Sequence, residues 1–242
     1  MKISLHLLLF CIPVLGFSQE NEIKLKKEIE ASVTFSFHSN GIAPIPAFSL
    51  DKPAVAATAS VKKGRFSWDP ALFYSLEMKP WFIDNWFHYR IVARPKIELV
   101  AGANLSTFCS GFEINGEEVL KAERYFAFSL TGTYLFSTLS SLSLEYWSDN
   151  GQEPGSLTGH FSALTYNRSD IPLGKSVLLS CNVMLFYINY NGNNDGLFIS
   201  PTLSLSVRNL PAALFLQATQ GIVSNIEPWP GFKWNLGVSY SL

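Results

Sequence analysis

The chain has 242 residues, 18 Lys and Arg against 19 Asp and Glu, a formal net charge of −1, and is 15% charged, 48% hydrophobic and 14% aromatic. That is too apolar for a disordered chain and lean in charge for a water-exposed surface. Balanced charge, with no basic patch interleaved with aromatics, argues against a nucleic-acid surface. After residue 17 no unbroken apolar run approaches the roughly 20 residues that a membrane-spanning helix needs. The apolar and aromatic residues must therefore be spread by alternation, which is the repeated, weak signature of a transmembrane β-barrel.

Residues 1–18 read as a secretory signal peptide. Lys2 supplies the positive start and Ile3 to Val14 the apolar region. Gly16 and Ser18 are small residues suited to a cut before Gln19. Cys11 follows Phe10 and precedes Pro13, which does not suit a lipid-modified cysteine. Removing the signal leaves Cys109 and Cys181, with His38, His88 and His160 far apart. Nothing there has metal-ligand spacing, so neither a metal nor a cofactor is expected.

Residues 19–28 are charged and polar, a short periplasmic lead-in. The first strand covers 29–40, where Ala31, Val33, Phe35 and Phe37 alternate with Ser32, Thr34, Ser36 and His38. A proline-rich loop follows over 41–53, then strands over 54–62 and 65–78, with a bulge expected at Pro70 because proline lacks a ladder donor. Residues 79–85 read as a turn, 86–94 and 96–108 as strands, and 109–123 as a longer acidic connection. Further strands cover 124–137, 141–148, 157–168, 175–190, 197–208 and 212–220. In 157–168 the best parity puts Phe161 and Ala163 outward and His160, Ser162 and Tyr166 inward.

The last stretch, 231–242, is the clearest. Phe232, Trp234, Leu236, Val238, Tyr240 and Leu242 fall on one parity, and Lys233, Asn235, Gly237, Ser239 and Ser241 on the other. This closing strand is expected to pair with 29–40, because an unpaired strand would leave an open edge.

The whole reads as an all-β, antiparallel up-and-down transmembrane β-barrel of about twelve strands over 29–242. Connections at one end are short and those at the other mostly longer. Trp68, Trp81, Trp86, Trp147, Trp229 and Trp234 fall near strand ends and fit interfacial girdles. A soluble sandwich or lipocalin-like barrel would need another surface to cover these outward aromatics.

On these features the chain resembles outer-membrane β-barrel proteins of Gram-negative bacteria, although it ends in Leu242 where such barrels most often end in Phe or Trp. The resemblance implies residence in the cell outer membrane, contact with outer-membrane lipid and with the barrel-assembly machinery, and no nucleic-acid partner.

Two groups of residues could carry function. The string Ser36-Phe37-His38-Ser39-Asn40-Gly41 looks like the His-x-Ser-Asn string of two outer-membrane lipid hydrolases, phospholipase A and lipid A deacylase, where Ser and His share a strand face. Here Ser39 directly follows His38 and so faces the other way. Ser36 shares the face of His38, but in reverse order and toward the lumen. The second group is inward charge: Asp69, Glu77, His88, Arg90, Arg94, Lys96, Glu98 and Lys233 are expected to line the lumen, with Arg94 beside Lys96 and Arg90 diagonal to Glu98. Such a wall either holds a barrel shut or selects solutes by charge. The reading is a passive channel for small solutes, leaning toward anions. Its rivals are a closed structural barrel with partner-binding loops and, further off, a lipid hydrolase built on Ser36, His38 or Ser39.

Overall fold

The computed structural model describes residues 28–43, 48–114, 116–227 and 231–242. The expected signal peptide and nearly all of the expected lead-in lie outside them. Twelve strands form one closed antiparallel barrel. They are β1 (Glu30–His38), β2 (Ala54–Lys63), β3 (Phe66–Ser75), β4 (Pro80–Ala93), β5 (Ile97–Ile114), β6 (Glu117–Ser137), β7 (Ser140–Gly151), β8 (Thr158–Pro172), β9 (Val177–Tyr190), β10 (Asn194–Val207), β11 (Ala212–Ser224) and β12 (Phe232–Ser241). Each pairs with its chain neighbours, and β12 closes on β1 with Thr34 opposite Ser241 and His38 opposite Gly237.

Period-two alternation sets the outer face. Phe35, Trp68, Leu72, Phe87, Leu105, Phe128, Leu144, Leu164, Leu203, Leu216 and Trp234 all stand exposed around the wall. A belt of this extent is stable only against hydrocarbon. Trp234 is 53% exposed and its neighbour Asn235 0%, which fixes which side of the closing strand faces out.

The turns divide by end. At the turn end the strands are joined by 64–65, 94–96, 138–139, 173–176 and 208–211. At the loop end the long connections are 39–53, 152–157 and 225–231. Two expected connections are strand instead. Residues 80–85 belong to β4, because Met78, at φ 59°, turns the chain earlier. Residues 109–123 form the outer part of a β5–β6 hairpin, paired from Cys109 opposite Ala122 to Ile114 opposite Glu117. Their acidity suggested a loop. The Asn-Gly dipeptide at 115–116 is the decisive signal, a pair favoured in tight hairpin turns, and Gly116 has φ 82°. Pro70 stays in register opposite Asn85, and the β3–β4 irregularity falls between Phe73 and Tyr74. Cys109 and Cys181 are unbridged.

The interior has two tiers, and here the rule that apolar parity means lipid fails. In β8 Phe161 and Ala163 are each 2% exposed and point inward, while His160 and Tyr166 are exposed. The parity of that strand is the reverse of the one expected. The cause lies in its neighbours: Trp147, Phe161, Phe186 and Phe198 stack in a row across β7, β8, β9 and β10, with centroids 4.1, 5.5 and 5.1 Å apart. Trp81, Trp86 and Trp147 also face inward rather than forming a girdle, and Trp229 lies outside the described residues. The loop-end half of the lumen is thus an aromatic tier, and the turn-end half is lined by Ser, Thr and charged side chains.

Single-tryptophan variants in vesicles of brominated lipid check this assignment. Trp68 and Trp234 should be strongly quenched, and Trp86 and Trp147 should not; equal quenching of all four would invert the inside and the outside.

Candidate functional site

The charged wall is built by three adjacent strands at the turn end. Asp69 of β3 accepts hydrogen bonds from the Ser60 and Ser67 hydroxyls and lies 2.8 Å from His88 Nδ1 on β4. Arg90 of β4 meets Glu98 of β5 at 3.6 Å, the diagonal pair that the strand pattern implies. The Arg65 guanidinium donates to the carbonyls of Arg90 and Ile91 at 3.0 and 2.8 Å. Asp69, His88, Arg90 and Arg65 line, with Glu28, Glu30 and Lys62, a cavity of about 510 Å³. Its carboxylates (Glu28, Glu30, Asp69) and permanent cations (Lys62, Arg65, Arg90) are equal in number.

Four of the expected wall residues lie elsewhere. A bulge between Arg90 and Val92 shifts the β4–β5 register, so that Ala93 turns inward opposite Glu98 and is 1% exposed. Arg94 therefore no longer shares the face of Arg90, and it and Lys96 sit in the β4–β5 turn at the rim. Glu77 lies past the end of β3, exposed, and pairs with Lys79 at 3.3 Å. Lys233 does point inward, but at the loop end, where its Nζ holds both carboxylate oxygens of Asp51 at 2.8 and 2.7 Å.

That ion pair helps hold the first loop inside the barrel. Within it Gly41 N–H donates to Lys52 O at 2.8 Å, and Trp81 Nε1–H donates to Phe48 O at 2.7 Å. Phe48 packs against Phe108 at 4.6 Å and Tyr125 at 5.3 Å. Below it a second cavity of about 210 Å³ is lined by Trp86, Trp147, Asp84, Asn104 and Asp149 among others. Sequence reasoning missed Asp84 and Asp149 because both fell in stretches read as connections. At the neighbouring β7–β8 loop, a hydrogen bond from the Arg124 side chain, then one from its backbone N–H, holds the Glu153 carboxyl below the usual carboxylate range.

The serine–histidine string closes the barrel. Ser36 Oγ lies 2.9 Å from His38 Nε2, and His38 Nδ1 lies 3.0 Å from Asn235 Nδ2 on β12. The Asn40 backbone N–H donates to Asn235 Oδ1 at 3.1 Å, which fixes the amide with its NH2 toward the imidazole. Nδ1 is then the acceptor, and Nε2 carries the proton and donates to Ser36. A serine nucleophile needs the opposite polarity, a bare Nε2 accepting the hydroxyl proton. The Ser39 hydroxyl accepts from Leu236 N–H at 2.9 Å and donates to Asn235 Oδ1 at 3.5 Å rather than to the imidazole. All three side chains therefore serve the β1–β12 seam in this geometry.

No family model and no curated protein matches the sequence. Among solved structures the chain is similar to the KdgM porin in complex with disordered oligogalacturonate, at 10% identity and a TM-score of 0.58, covering 87% of this chain and 99% of that one. A second KdgM porin structure gives 10% identity, a TM-score of 0.57 and the same coverage. The fold is that of an outer-membrane β-barrel.

Replacing Asn235 by Ala leaves His38 Nδ1 and the Asn40 amide unpaired, and should lower stability by about 1–3 kcal/mol. Urea unfolding of the refolded protein in micelles measures this. A loss no larger than that of Ser36→Ala would remove Asn235 from its place in the seam.

Proposed function

We propose that this protein resides in the outer membrane as a passive channel for small polar solutes, anions among them. The observation that carries the reading is the polar cavity at the turn end, enclosed by a closed barrel whose outer belt fits a bilayer. Its lining of Ser, Thr and paired charges can replace part of a solute's hydration at little cost, as a conducting wall must. Asp69, His88, Arg90 and Glu98 form that wall, and Lys62 and Arg65 add cations at its mouth. The likeness to a porin whose structure holds oligogalacturonate, an anionic saccharide, supports solutes of that kind. The loop end then faces outward, and Phe48 with the aromatic tier sets the narrowest passage.

A second reading rests on that tier. Phe161, Phe186 and Phe198 are each at most 2% exposed, as in a packed core, which favours a closed barrel whose loops meet partners.

Planar-bilayer recording of the refolded protein separates the two. The channel reading expects discrete conductance steps in potassium chloride, larger steps for Phe48→Ala, and a reversal potential shifted toward cations for Arg90→Glu. Silence of both the parent and Phe48→Ala in several salts would leave the closed barrel.

A further inference from the structure

The aromatic tier contains a built cavity that neither a charged wall nor a simple constriction explains. It holds about 210 Å³, the space of about seven liquid waters, which matches a small ligand rather than an oligomer. Aromatic rings form much of its wall. Trp86 and Trp147 lie 5.8 Å apart although two strands separate β4 from β7, because Asn104 and Ala127 between them are small enough to let the rings meet. Phe48 and Tyr125 enclose it from the loop side.

Two carboxylates, Asp84 and Asp149, also face this space, and no Lys or Arg lines it among the described residues. Asp84 receives one hydrogen bond, from Asn104 Nδ2 at 3.0 Å. Asp149 is 8% exposed, and its Oδ1 has no hydrogen-bond partner among the described residues. Its room comes from Gly159 directly opposite on β8, where a Cβ would stand 2.4 Å from that oxygen. An unpaired acceptor buried among aromatic faces is costly. A cation relieves that cost twice, by ion pairing with the carboxylates and by lying over the electron-rich faces of the indoles.

We infer that this cavity binds a small organic cation of the quaternary ammonium class, held by Asp84 and Asp149 within the Trp86–Trp147 pair. The class follows from the lining: two carboxylates with no Lys or Arg beside them among the described lining residues select a cation, and the aromatic faces favour a poorly hydrated organic one over an inorganic ion. The site is distinct from the charged cavity at the turn end, and its occupation does not depend on conduction.

The test uses the full-length chain refolded in micelles, titrated with choline chloride while tryptophan emission and heat of binding are followed. Sodium chloride, sodium acetate and glucose serve as comparisons. A saturable response to choline is expected, absent with the three comparisons. Asp84→Asn with Asp149→Asn should weaken it by about tenfold or more. Heat-modifiable gel migration reports whether each variant is folded, and Asp149→Asn alone is the fallback if the double variant is not. Absence of saturation with choline, equal binding of glucose, or unchanged affinity in a folded variant would each overturn the inference. Because binding is read without a bilayer, a silent barrel that binds choline keeps the site, and a conducting barrel that does not bind choline loses only the site.

Discussion

Everything in this structure depends on closing the β12–β1 seam. In hydrocarbon no water is available to an unpaired N–H or C=O, so a sheet survives there only if it has no edge. The last residue takes part: Leu242 N–H donates to Val33 O at 2.8 Å, and Val33 N–H donates back at 3.2 Å. The side chains behind these bonds are specialised for the same end. Asn235 is fully buried and bonds to both His38 and the Asn40 amide. At Gly237 a Cβ would meet the Phe215 ring at 2.1 Å and the Phe37 carbonyl at 2.5 Å, so only glycine lets β12 lie this close to β1. A histidine beside serines looks catalytic in one dimension; in three, His38 lies bonded between Ser36 and Asn235 across the seam.

The second organising fact is that the lumen is partitioned. Polar side chains in the turn-end half satisfy one another in pairs, as Asp69 with His88 and Arg90 with Glu98 do. The loop-end half gains its order from stacked rings and from the first loop, which Lys233 and Trp81 hold inside. The two halves enclose cavities of different chemistry; in the proposed channel the polar half passes solutes and the aromatic half limits what passes.

Strand number, closure and the outer face of β12 were legible in the sequence because lipid imposes one rule on every strand, an apolar residue at each outward position. Inward positions obey no such rule. In β8 Phe161 is inward and Tyr166 outward, and both are aromatic, so alternation alone could not orient the strand. The wall of charge was partly legible: Asp69, His88, Arg90 and Glu98 hold their parity. The bulge at Ile91 breaks that parity for Arg94, and nothing in the string RIVARPK announces it; Lys96 falls in the turn just before β5. The β5–β6 hairpin was hidden by its acidity, since charge reads as loop even where strands merely continue beyond the bilayer.

That hairpin has a consequence of its own. β5 and β6 run for 18 and 21 residues, about twice the 9–11 that cross a membrane. Their outer halves remain hydrogen-bonded rung by rung and carry exposed Phe112, Ile114 and Leu120 toward the tip. A loop of equal length would have to surrender its conformational freedom on meeting another molecule. This arm, paired up to Ile114 opposite Glu117, has already done so during folding.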